Sequence, residues 1–217
     1  MNSSGYTLGE EIFSAVTHGV GACLGIAALV LLIIFAAISG DALDVIGVCI
    51  FGATLIILYT ISTLYHSLTN EKAKKIFKVL DHCSIYILIA GTFTPICFSC
   101  LRASGYKMII LISAIWLIAA LGIVLYACFP KRFKILNVAL YIIMGWSIIF
   151  LMQDLILALK IANSMSTLYF LLAGGITYTL GVIFYAIKKI RYFHPVFHLF
   201  VLGGSVCHFF AVLTYLI

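Results

Sequence analysis

The stretch that decides the fold is residues 108–129, MIILISAIWLIAALGIVLYACF, which contains no charged residue. About 20 apolar residues are needed for a helix to cross a hydrocarbon core of about 30 Å. Lipid offers no hydrogen-bond partners to backbone amides, so a segment of this kind must satisfy them internally, and it is too long and continuous for a barrel strand. The sequence therefore predicts a transmembrane helix here.

Similar apolar segments lie on both sides of this stretch. The seven predicted helices lie near residues 15–38, 43–66, 80–101, 108–129, 134–153, 166–187 and 194–217. The loops between them are short, so consecutive helix ends stay close together, and no polar stretch is long enough to form a second domain. The sequence predicts an all-α polytopic membrane protein with one seven-helix transmembrane domain over residues 1–217.

The composition excludes an ordinary soluble domain. Hydrophobic residues make up 65% of the chain and charged residues 9%, against roughly half and a quarter in soluble domains. All seven cysteines lie in or beside apolar runs, which favours reduced cysteines that serve as small packing residues. Cys97 and Cys100 form a C-x-x-C pair, but no second pair accompanies them to complete a zinc site.

The basic residues predict the orientation in the membrane, because short basic loops stay in the cytoplasm. Ten of the thirteen follow predicted helices two, four and six: Lys72, Lys74, Lys75, Lys78, Lys131, Arg132, Lys134, Lys188, Lys189 and Arg191. Arg102, Lys107 and Lys160 lie on the other side. The sequence thus predicts a cytoplasmic N-terminus, an outside C-terminus and a multi-pass protein of the cell membrane. The net charge of +6 suits an anionic inner leaflet, and no nucleic-acid partner is expected.

Four ionisable residues converge at the predicted cytoplasmic helix ends. His66 ends the second helix, Asp81 begins the third, and His194 and His198 begin the seventh. The two imidazoles at i, i+4 project from one helical face about 5 to 6 Å apart, which suits chelation of one metal ion. Three imidazoles with one open position are also the ligand set of a catalytic zinc site.

Each of these residues also has a simpler interpretation. Histidines are common at membrane interfaces, and an aspartate near a helix N-terminus can cap the helix and complement its dipole. The i, i+4 pair often occurs by chance. Only the convergence of all four residues at one side of the membrane favours a metal site.

The motifs of these residues resemble a known family. Ser62-x-x-x-His66, then Leu80-Asp81, then His194-Pro195-Val196-Phe197-His198 are similar to the three signatures of the hemolysin III family. That family belongs with the progestin and adipoQ receptors, whose relatives include the alkaline ceramidases. The resemblance spans essentially the whole chain.

The resemblance implies a zinc ion held by His66, His194 and His198. It also implies that Asp81 reaches the ion through a water molecule and that Ser62 supports the ligands. Zinc would activate water at neutral pH, and Asp81 could then accept a proton as the catalytic base. Ser62 lies one turn before His66, where its hydroxyl could contact the Asp81 carboxylate, the imidazole or a substrate oxyanion.

The remaining histidines have separate expectations. His18 lies seven residues after Glu11 on roughly the same helical face, which predicts an ion pair or a supporting contact to the site. His82 points about 100° away from Asp81 and is interpreted as structural. His208 lies about 15 Å from the level of His198, too far to share its ion.

Three functions follow from these patterns. The favoured one is zinc-dependent hydrolysis of a lipid amide or ester in membrane-lipid homeostasis, with membrane lipids as the partners. The second is cytolysis, which the family name suggests. The third is a receptor-like lipid sensor with structural zinc.

Overall fold

The protein is an all-helical bundle with seven membrane-spanning segments, as the sequence predicts. The computed structural model describes residues 6–130, 132–187 and 189–217, and these residues contain no strand. The helices are α1 (Leu8–Ser39), α2 (Ala42–Ser67), α3 (Glu71–Pro95), α4 (Tyr106–Cys128), α5 (Lys134–Trp146), α6 (Met152–Ile161), α7 (Met165–Ala186) and α8 (Phe193–Leu216). Helices α5 and α6 together form the fifth span.

Helix α1 begins seven residues before its predicted start because polar residues cap it. The Thr7 hydroxyl accepts the backbone N–H of Glu10, and the Glu10 carboxylate accepts the backbone N–H of Thr7 at 2.8 Å. Helix α3 likewise begins at Glu71 rather than near residue 80, because Asn70 caps the N–H groups of its first turn. Hydropathy marks only the part of a helix that lies in lipid, so it misses these polar first turns.

The fifth span is not one continuous α-helix. A 3₁₀ segment over Ser147–Leu151 separates α5 from α6, and the Ser147 hydroxyl donates to the Met144 carbonyl at 2.6 Å. The span consequently reaches Ile161, beyond the predicted end at residue 153. A hydroxyl that bonds backward to a carbonyl competes with the helical ladder, and this bond lies where the helix type changes.

Helix α3 occupies the middle of the bundle, and most of its spanning part is buried. Helix α1 packs on α2 and α8, and α7 packs on α8. Glycines allow two of these close approaches: a Cβ atom on Gly21 would lie 2.6 Å from the Tyr59 ring, and one on Gly204 would lie 2.7 Å from the Tyr178 ring. Small residues at such contacts let helix backbones approach closely in lipid.

The outer surface of the bundle is apolar, as expected for a multi-pass membrane protein. Large side chains such as Val20, Leu117 and Ile183 are half or more exposed along the spans, and these surfaces face lipid. All seven cysteines are free, and their reduced state in the cell stays a prediction. Seven spans place the two termini on opposite sides of the membrane; the side that each faces stays a prediction.

Candidate metal centre

Three histidines from two helices meet at one end of the bundle, here called the histidine end. His66 lies in the last turn of α2, whereas His194 and His198 lie in the first two turns of α8. Pro195 is buried in the first turn of α8, where a missing N–H costs no intrahelical bond. His66 and His198 are almost fully buried, at 4% and 1% exposure.

The ring nitrogens of these histidines point at one another. The Nε2 atom of His194 lies 3.4 Å from that of His66 and 3.1 Å from that of His198. Two nitrogens bound at about 2.0 to 2.1 Å to one tetrahedral ion would lie about 3.3 Å apart. A proton on His194 can be donated well to only one neighbour, whereas a single cation satisfies all three nitrogens. The residues present therefore fit a divalent metal ion such as zinc.

The predicted catalytic residues Asp81 and Ser62 are not part of this group. Among the described residues, only His66, His194 and His198 form a group whose ligand atoms all lie within 4.8 Å of one another. The Asp81 carboxylate lies 3.8 Å from the His82 imidazole, and its side chain is 15% exposed. Ser62 is buried on α2 one turn before His66. Their roles in catalysis stay predictions.

Helix α1 contributes a residue that sequence reasoning placed differently. The Glu11 carboxylate lies 2.6 Å from the Nδ1 atom of His66 and 2.8 Å from the Nζ atom of Lys74. The only sequence signal for this role was the pair of acidic residues, Glu10 and Glu11, at the start of a largely apolar helix.

Tyr6, which sequence reasoning missed, lies just before α1 and covers the site. Its ring stacks on the His194 ring at 4.5 Å. Burial raises the pKa of the Tyr6 phenol well above its usual value, and the nearby charges of Glu11 and Asp81 raise it further. The phenol is therefore a neutral hydrogen-bond donor at physiological pH.

The expected ion pair between Glu11 and His18 is not formed. Both ring nitrogens of His18 are buried without a hydrogen-bond partner, and the ring stacks on His198 at 3.8 Å. The supporting contact is thus an aromatic one, because the rotation of α1 directs Glu11 toward His66 and the ring of His18 toward His198.

The other two histidines lie outside the converging group. His82 stacks on Tyr126 at 4.9 Å, and its Nδ1 atom lies 2.9 Å from the Lys78 carbonyl. His208 lies deeper in the bundle, with Nε2 at 3.3 Å from the Leu171 carbonyl. Both side chains are thus hydrogen-bonded outside the converging group, and the structural role of His82 stays a prediction.

An apolar cavity of about 140 Å³ adjoins the histidine end. It lies among α2, α3, α5, α7 and α8, and aliphatic and aromatic side chains form most of its walls. Tyr185 and Phe197 line it, and their rings lie 6.4 and 5.9 Å from the His194 ring. An engineered apolar cavity of about 150 Å³ binds benzene, so this one has room for a short apolar segment.

Comparison with known proteins identifies the family. The family model described as "Haemolysin-III related" matches residues 6–209. The chain is 45% identical over 211 residues to "Hemolysin-3 homolog" of Bacillus subtilis (strain 168), which covers 97% of this chain and 96% of the relative. It is 44% identical over 209 residues to "Hemolysin-3" of Bacillus cereus, covering 96% and 92%.

A more distant similarity extends to a human protein. "Monocyte to macrophage differentiation factor" of Homo sapiens is 29% identical over 185 residues, covering 82% of this chain and 74% of the relative. The chain belongs to the haemolysin-III-related family, within the wider superfamily of progestin and adipoQ receptors.

Proposed function

We propose that this protein is a zinc-dependent hydrolase of a lipid amide or ester that serves membrane-lipid homeostasis. The observation that carries the proposal is the convergence of three Nε2 atoms, from His66, His194 and His198, at one end of a membrane bundle. Three imidazoles leave a fourth position for a reacting group, as in catalytic rather than structural zinc sites.

Each site residue predicted from the sequence has a part in this proposal. Zinc, when bound, would supply a Lewis acid that makes water acidic near neutral pH and polarises a carbonyl. His66, His194 and His198 would hold it. The Asp81 carboxylate would accept the proton of the attacking water, and the Ser62 hydroxyl would donate to the Asp81 carboxylate or to the oxygen of the reacting carbonyl.

The surroundings favour a lipid substrate over a soluble one. The cavity beside His194 is lined by Tyr185 and Phe197, and it can take a short part of an apolar chain. The histidine end also carries exposed cations, such as Lys72, Lys75 and Arg191, which would attract anionic headgroups. A lipid whose amide or ester lies near the headgroups could reach the site from the bilayer.

Replacement of Asp81 tests the proposal. Asp81→Asn should retain zinc and thermal stability but lower hydrolysis of a fluorescent ceramide or a fluorescent phospholipid ester by about 10² to 10⁴ fold, the usual contribution of a general base. Asp154→Asn is the matched control, because that carboxylate pairs with Lys107. It should keep parental activity.

Two other outcomes would overturn the hydrolase. If neither probe lipid is hydrolysed and Asp81→Asn loses zinc or stability, the metal is structural, as in the lipid-sensor alternative. Cytolysis is favoured by the names of the two Bacillus relatives. If the parent lyses red cells, hydrolyses neither lipid, and lysis persists after His66 and Asp81 are both replaced, cytolysis becomes the better proposal, because a pore needs helices rather than a nucleophile.

A further inference from the structure

Two neighbouring glutamates at the start of α1 are both buried but have different partners. Glu10 accepts the backbone N–H of Thr7 and, at 2.8 Å, the backbone N–H of Tyr192 just before α8. Glu11 faces the other way, with Oε2 at 2.6 Å from His66 and Oε1 at 2.8 Å from Lys74. Glu10 thus joins helix ends, whereas Glu11 contacts one of the three converging imidazoles.

The contact between Glu11 and His66 determines the tautomer of His66. It decides which ring nitrogen carries the proton and which one directs a free lone pair toward the centre. A carboxylate only accepts hydrogen bonds, so the Nδ1 atom of His66 carries the proton. The Nε2 atom, 3.4 Å from that of His194, is then the free acceptor. A carboxylate on the far nitrogen also fixes the ring orientation and makes the imidazole a stronger metal ligand.

Lys74 neutralises the charge of Glu11. Glu11 is 3% exposed and Lys74 is 5% exposed, so neither charge would be tolerated here without a partner. The Lys74 ammonium also donates to the Leu68 carbonyl, at 3.3 Å, where α2 ends. The pair therefore connects α1, α2 and α3 directly behind His66.

We propose that Glu11 is a positioning residue of the metal centre, one that holds His66 in the tautomer and orientation that bind the ion. The inference rests on the metal-binding part of the proposed function and not on hydrolysis. It assigns a role in the centre to α1, which contains none of the predicted ligands.

The test compares zinc affinity in variants of the two glutamates. Full-length protein is purified in detergent, stripped of metal and titrated with zinc against a competing chelator. Glu11→Gln should weaken zinc binding by about 10 to 100 fold, as is usual when a carboxylate behind a ligand is lost. Glu10→Gln, the matched control, should stay within about twofold of the parent even if it lowers thermal stability, because its partners, the N–H groups of Thr7 and Tyr192 and the Thr7 hydroxyl, are not metal ligands.

A second measurement separates positioning from stability. With Co²⁺ in place of zinc, Glu11→Gln should alter the visible absorption of the bound ion, and Glu10→Gln should leave it unchanged. If Glu11→Gln fails to fold, Glu11→Asp, which withdraws the carboxylate by one methylene, gives the same comparison of affinities.

The failure of this inference and the failure of the proposed function give different results. A parent protein that binds no zinc would overturn the proposed function together with this inference. A parent that binds zinc, while the folded Glu11 variant binds it equally well, would overturn the inference alone.

Discussion

The two membrane ends of the bundle both contain buried or half-buried carboxylates, but they satisfy them in different ways. At the end opposite the histidines, Arg102 pairs with Asp41 and Asp44, and the Ser99 hydroxyl donates to Asp44 at 2.6 Å. Asp41 and Asp44 also form the capping box of α2. Every charge in this cluster has an opposite charge beside it. Such complete pairing is typical of a network that stabilises the fold.

The histidine end is not closed in this way. His66, His194 and His198 direct their Nε2 atoms at one another. Among the described residues, the Ser14 hydroxyl is buried at this end without a hydrogen-bond partner. An unpaired buried polar group is costly for stability, which agrees with the proposal that this end binds a ligand.

The largest expected effect concerns which end faces the cytoplasm, because the outcome is all or none. A tag after Met1 should be protected from a membrane-impermeant label in intact cells, whereas a tag after Ile217 should be accessible. The physical reason is the retention of basic loops in the cytoplasm. Labelling of both tags, or of neither, would contradict seven spans, and the reverse pattern would place the histidine end outside.

Replacement of the metal-binding histidines should show the difference between the two ends most directly. His66→Ala, His194→Ala or His198→Ala should each weaken zinc retention by at least the 10 to 100 fold seen for supporting residues, because a direct ligand is lost. His208→Ala and Ser99→Ala should retain zinc like the parent. Metal analysis of the purified proteins checks this, and equal zinc content in all five variants would show that the site is misassigned.

The smallest effect is expected at the opposite end. Arg102 lowers the pKa of Asp41 from 3.8 to about 2. A depressed pKa stabilises the folded protein fully above about pH 4, and the contribution is lost as the pH falls toward 2. Asp41→Asn, which keeps a good N-cap, should lower the apparent Tm at pH 7 by at most about 4 °C, because the pair is exposed.

The pH dependence provides the control for that measurement. The difference in Tm between the parent and Asp41→Asn should shrink as the pH is lowered from 5 toward 2, while the zinc content at pH 7 stays parental. A difference independent of pH would mean that the charge of Asp41 does not contribute to stability through Arg102. Loss of zinc would mean that the two ends are coupled.

The fold was largely predictable, because the length and position of each apolar segment can be read directly from the sequence. Seven spans were confirmed, and the errors lie where polar caps extend a helix, at Leu8 and Glu71, or where Ser147 interrupts one. The convergence of His66 with His194 and His198 was also predictable. Successive helices cross the membrane in alternating directions, so the number of crossings between two helix ends determines whether they lie on the same side, and short loops keep them close.

The sequence alone therefore determined the number of spans, the end of the bundle at which each polar residue lies, and the three converging imidazoles. Only the tertiary structure decided that Glu11 faces His66, that Tyr6 stacks on His194, and that His18 stacks on His198 instead of pairing with Glu11. These contacts depend on how α1 is rotated about its axis against α2 and α8. In a lipid environment the buried and exposed sides of a helix are both apolar, so the sequence pattern carries little information about that rotation, and close packing between the helices determines it.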